Sequence, residues 1–76
     1  MTLELVTFVV QNLVEDPDSL TVEAHRSDGG LRIDIACGEG DAGRIIGRNG
    51  RIINAIRTLA RAAADGRERI DINLAD

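Results

Sequence analysis

The stretch Gly43-Arg44-Ile45-Ile46-Gly47-Arg48-Asn49-Gly50-Arg51-Ile52-Ile53 constrains this chain more than any other. One apolar pair leads into a Gly-x-x-Gly sequence and a second pair leaves it. Gly47 and Gly50 carry no Cβ, so the chain can turn sharply there and another backbone can approach closely. Between them stand Arg48 and Asn49, both hydrogen-bond donors, with Arg44 and Arg51 on either side. A helix beginning at Arg51 would aim free N–H groups and the positive end of its dipole at the same point. That combination suits a phosphate backbone. The glycines alone would serve equally well in an ordinary helix–helix turn; the arginines and isoleucines around them favour binding.

The net charge of −4 argues at first against a polyanion, but the charge is unevenly placed. Residues 1–41 hold nine carboxylates against two arginines, a net of −7. Residues 42–64 hold Arg44, Arg48, Arg51, Arg57 and Arg61 and no carboxylate, a net of +5, and residues 65–76 return to −2. Distant charges are screened over a Debye length of about 8 Å, so the local potential decides where an anion docks. A solvated helix face would account for Arg57 and Arg61. It accounts less well for three arginines gathered at a glycine loop.

The rest of the chain alternates between two periods. Val6, Val9, Val10 and Leu13 follow helical spacing, broadened by Leu3, Leu5, Phe8 and Val14. Thr2 is placed to cap this helix, and Pro17 should end it near Glu15-Asp16. Leu20, Val22 and Ala24 alternate with Thr21, Glu23 and His25 as a strand, and Leu31, Ile33, Ile35 and Cys37 alternate as a second. Ser27-Asp28-Gly29-Gly30 turns between them, which predicts an antiparallel hairpin. Asp41 is a plausible N-cap for a short helix over residues 42–46. A longer helix over 51–64 should bury Ile52, Ala55, Ile56, Leu59 and Ala63, and Asp65-Gly66 should end it. Ile70, Ile72 and Leu74 mark a third strand.

The expected class is therefore α+β. The order is helix, strand, strand, helix, helix, strand, with a three-stranded mixed sheet covered by helices on one face. Strands two and three should run parallel through a right-handed crossover. Seventy-six residues make one domain with a small core. Cys37, the lone cysteine, reads as a small core residue, and with no secretory leader it suggests a reducing, intracellular setting. No apolar run is long enough to span a bilayer.

Several chemistries fit poorly. Gly38-Glu39-Gly40-Asp41-Ala42-Gly43 matches a dinucleotide fingerprint. Glu39 and Asp41, however, put carboxylates where a pyrophosphate would sit, and the helix that follows breaks at Gly47. The second βα unit of such a fold is also missing. With one histidine, one cysteine and no tyrosine or lysine, no nucleophile–base pair or metal-ligand spacing appears, so neither an enzyme nor a cofactor is expected. Phe8 is the only aromatic residue, which disfavours modules that stack bases on aromatic platforms.

Ile45-Ile46-Gly47-Arg48-Asn49-Gly50 resembles the Val/Ile-Ile-Gly-x-x-Gly signature of a KH domain, in the type II, bacterial, element order. Leu5-Val6 through Leu13-Val14, Asp16-Pro17-Asp18, Asp41 through Arg51, and Ala55-Ile56-Arg57-Thr58-Leu59 resemble small bacterial single-KH proteins of the KhpA/YlqC kind. Gly38, Gly40 and Ala42 depart from that pattern. The resemblance implies one type II KH domain over residues 1–76. It implies a non-catalytic, cytoplasmic module that grips about four nucleotides of single-stranded RNA or DNA. The contact residues it implies are Arg44, Ile45, Ile46, Gly47, Arg48, Asn49, Gly50, Arg51 and Ile52. It further implies an RNA chaperone or post-transcriptional regulator linked to cell elongation, division and shape. As partners it implies a second copy of the chain and a larger RNA-binding protein of the KhpB/Jag type, with neither a membrane nor a small-molecule substrate. The alternative is a protein-interaction or dimerisation domain that uses the same loop face without RNA.

Overall fold

A computed structural model describes residues 1–75. Its elements are α1 (Thr2–Gln11), β1 (Thr21–Ser27), β2 (Gly30–Ala36), α2 (Ala42–Ile46), α3 (Arg51–Ala64) and β3 (Arg69–Ala75). Short 3-10 turns over Pro17–Ser19 and Arg48–Gly50 complete the order. The sheet order is β1-β2-β3. β1 pairs antiparallel with β2 from Thr21↔Ala36 to Ser27↔Gly30, and Gly29 supplies the positive φ of the turn. β2 pairs parallel with β3 from Gly30↔Arg69 to Ala36↔Ala75. The fold class expected from the alternation of periods is the one observed.

Strand parity explains why one face is dry. In the parallel register Leu31 faces Ile70, Ile33 faces Ile72 and Ile35 faces Leu74. Successive strand side chains point to opposite faces, so these residues make one apolar surface. Val6 and Val10 of α1, Ile45 of α2, and Ile53, Ile56, Ala60 and Ala64 of α3 cover it. The opposite face is polar and carries Glu23, His25, Arg32, Asp71 and Asn73. His25 and Arg32 both reach Asp34 there, each at 3.3 Å. No helix among the described residues is long and apolar enough to cross a membrane.

Three local expectations are corrected. Thr2 does not cap α1; it is buried as the first helical residue, after Met1. α1 also ends at Gln11, before the reach of Pro17; its last turn tightens, with Asn12 N–H reaching Val9 O (3.2 Å) and Leu13 N–H reaching Val10 O (3.1 Å). Phe8 is 66% exposed and packs no core.

The larger correction is the rotation of α3. Its buried stripe is Ile53, Ile56, Ala60 and Ala64, while Ala55 and Ala63 are exposed and Leu59 keeps 48% of its surface. α3 carries two apolar stripes one residue apart, roughly 100° around the axis. Only the stripe that meets Val6, Val10 and the sheet is core. The helix ends at Ala64 as expected, with Asp65 itself already in the left-handed conformation (φ 55°) and Gly66 following it (φ 71°).

This rotation gives a direct test by thermal unfolding. Ala60→Leu should overpack the core and destabilise by about 1–3 kcal/mol. Leu59→Ser should stay within about 0.5 kcal/mol of the parent, as expected of a surface position. The opposite ranking would restore the stripe through Leu59 as the core face.

Candidate nucleic-acid interface

The turn between α2 and α3 is built from three positive φ angles in four residues. Gly47 sits at φ 75°, ψ 172°, a region that only glycine occupies readily. Asn49 (φ 57°) and Gly50 (φ 76°) follow in the left-handed region. Asparagine tolerates that conformation better than most residues, which explains its place here. A Cβ on Gly47 would lie 2.6 Å from Ile52 Cγ1 and 2.9 Å from the Ile52 nitrogen. The start of α3 is therefore packed directly on the Gly47 backbone. Gly50 has more room, its nearest neighbour being Asn54 Nδ2 at 3.5 Å.

The loop closes on itself through Gly47 N–H to Gly43 O (2.9 Å) and Gly50 N–H to Gly47 O (3.2 Å). Arg51 N–H donates to Arg48 O. Among the described residues, the amides of Arg48 and Asn49 find no backbone acceptor. The side chains of Arg48, Asn49 and Arg51 are exposed, with no ion pair or hydrogen bond among the described residues. The loop thus holds two amides without a backbone acceptor, two unengaged guanidinium groups and one carboxamide at the N-terminal end of a 14-residue helix.

The other residues of the expected site are placed differently. Ile45 is 0% exposed and belongs to the core. Ile46 keeps 38% of its surface, and Ile52 is half-buried against Gly47. Ile46 is thus the most exposed of the three. Arg44 is not free: its Nη2 lies 2.7 Å from Glu15 Oε1 and its Nε lies 3.2 Å from Asp41 Oδ1. Arg57 turns to β3, donating to Ile72 O (3.2 Å) and to Asn54 Oδ1 (3.0 Å). A surface hollow of about 610 Å³ is lined by residues such as Met1, Leu31, Ala64 and Glu68 and includes none of the loop. A strand gripped through its backbone needs no enclosed cavity, so the loop is the better candidate.

Asp41 stands at the N-cap position expected of it, but its side chain is used elsewhere. It precedes α2, yet its side chain caps nothing in that helix. The carboxylate is buried (3% exposed) and accepts the Glu15 N–H on Oδ1 and the Asp16 N–H on Oδ2, each at 3.0 Å. The Glu15 N–H does most to hold the Asp41 pKa below the ordinary aspartate range; burial opposes it, and the Asp16 N–H and Arg44 add to the lowering. These partners lie 25 and 26 residues away, so no local pattern signals them.

A helix-strand-strand-helix-helix-strand order with a Gly-x-x-Gly turn between its second and third helices defines a type II KH domain. A family model described as KhpA/KhpB, KH domain, matches residues 3–74, and the chain belongs to that family. The chain is 41% identical over 73 residues to the RNA-binding protein KhpA of Leifsonia xyli subsp. xyli, covering 95% of this chain and 96% of that protein. It is 35% identical over 75 residues to the RNA-binding protein KhpA of Borreliella burgdorferi (97% and 92%). The corresponding protein of Chlamydia trachomatis is 32% identical over 71 residues (93% and 90%).

Two outcomes are expected from this geometry. Gly47→Ala should destabilise by at least about 1–3 kcal/mol from backbone strain alone, whereas Gly50→Asn should be the milder change; chemical denaturation of both variants checks the ranking. Because the folded pKa of Asp41 lies below its unfolded value, its contribution to stability is complete above roughly pH 4 and is lost as pH falls through the folded pKa. The gap in melting temperature between the parent and Asp41→Asn should therefore narrow as the solution is acidified below roughly pH 4.

Proposed function

We propose that the chain is a non-catalytic RNA-binding module that grips the backbone of single-stranded RNA with the Gly47-Arg48-Asn49-Gly50 loop. The observation that carries this reading is the loop's set of unengaged donors: the Arg48 and Asn49 amides together with the Arg48, Asn49 and Arg51 side chains. Gly47 and Gly50 set the turn that carries these donors. Ile46, with Ile52 beside it, offers aliphatic surface to base faces in place of aromatic stacking. The acid-free segment 42–64 attracts phosphate locally, while the acidic remainder discourages indiscriminate binding. Relatives named as RNA-binding proteins support the choice of ligand.

The resemblance to the family extends the proposal. The module acts in the cytoplasm as an RNA chaperone or post-transcriptional regulator connected with cell elongation and division. It works as a homodimer or beside a larger KhpB/Jag-type protein. The exposed apolar stripe through Ala55, Leu59 and Ala63 favours a protein contact on α3. That surface lies beyond the loop, so dimer and RNA need not compete for one face.

Binding of a labelled, mixed-sequence RNA of about ten nucleotides, followed by anisotropy, tests the loop; weak and salt-sensitive affinity is expected, with a log–log slope of about −0.7 for each phosphate neutralised. Replacing Arg48 and Asn49 together by aspartate should abolish binding with the circular dichroism spectrum unchanged. Undiminished binding by that folded variant would remove the loop from the interface. Sedimentation of Leu59→Asp with and without the RNA separates the two surfaces: loss of dimer with retained RNA binding is expected.

A further inference from the structure

Among the described residues Asp41 is the only buried side chain that carries a charge. A buried charge is tolerated only when it is well partnered, and Asp41 is, by two backbone amides and one guanidinium. What those partners join is informative. Glu15 and Asp16 belong to the connector between α1 and β1, and Asp41 is the residue from which α2 starts. α2 is five residues long, too short to hold its own direction in water. It runs straight into Gly47. Its orientation therefore depends on two fixed points, the Ile45 side chain in the core and the Asp41 carboxylate on the connector.

We propose that Asp41 is a positioning residue for the Gly47–Gly50 loop, and that Arg44 serves this anchor and not the phosphate backbone. Arg44 bridges Asp41 and Glu15 with one guanidinium, so its charge is already matched by two carboxylates. The positive charge presented to RNA is then that of Arg48 and Arg51. The loop is held from two directions: Gly47 against Ile52 on the α3 side, and Asp41 against the connector on the α2 side. The part concerning phosphate rests on the RNA-binding reading of the loop; the part concerning loop geometry does not.

The experiment combines amide hydrogen exchange on the full chain with binding of the ten-nucleotide RNA at several salt concentrations. Asp41→Asn removes the charge and turns a donor toward the connector amides. Asp41→Glu keeps both carboxylate oxygens but displaces α2, and it covers the case in which the asparagine variant does not fold. In either folded variant, exchange at Gly47, Gly50 and Arg51, the loop amides that hold hydrogen bonds, should quicken and RNA affinity should fall by about ten-fold, with the salt slope unchanged. Arg44→Gln should likewise leave the slope unchanged, whereas Arg48→Gln should reduce its magnitude by about 0.7. Parent-like loop exchange and affinity in a folded Asp41 variant would overturn the anchor. A slope reduced by Arg44→Gln as much as by Arg48→Gln would return Arg44 to the phosphate contacts. Failure of the parent to bind RNA would fail the RNA reading alone, and the exchange measurement would still decide the anchor.

Discussion

The approach of Ile52 to the bare Cα of Gly47 sets the geometry on which the other features depend. A side chain at that position would collide with the first turn of α3. With glycine there, α2 and α3 meet at a tight angle while Ile45 and Ile53 both reach the same core. The three positive φ angles of the turn follow from that junction. Helix packing and the shape of the loop are thus one constraint, because the Gly47–Ile52 contact fixes both.

Charge is organised around the same junction. The arginines divide by their partners and not by their distance along the chain. Arg44 and Arg57 are turned inward to structural acceptors, a carboxylate pair and a strand carbonyl. Arg48 and Arg51, between them in sequence, stay unengaged. The basic segment therefore presents a narrower positive surface than its net charge of +5 suggests. A chain of net charge −4 can keep such a surface because exposed charges beyond about 8 Å are screened.

Much of this was legible in the residues. The alternation at Ile33 and Ile35, the helical period at Val6 and Val10, and the glycines at 47 and 50 gave the element order and the place of the loop. The limits of α2 and α3 were legible because glycine breaks the period at Gly47, and Asp65-Gly66 does so after Ala64. The face of α3 was not legible, since stripes through Ile52 and Ile53 are about equally apolar and only the position of the sheet chooses between them. Nor was the inward turn of Ile45 relative to Ile46, which depends on a rotation of 100°. Asp41 stood at a position where a helix cap is the local expectation. Its true partners come from a segment that sequence separation hides.

The parallel pairing of β2 with β3 has a kinetic consequence. Residues that face each other across that pair stand 39 apart in the chain, as Asp34 and Asn73 do, and α2, the loop and α3 fill the interval. Such non-local pairing forms late and governs the rate of folding in small domains. The bend at Gly47 folds that interval back on itself, with α2 packed on α3. The loop proposed to bind RNA thus lies within the stretch that separates the two paired strands. Alterations at this bend should be felt in the speed of folding before any ligand is present.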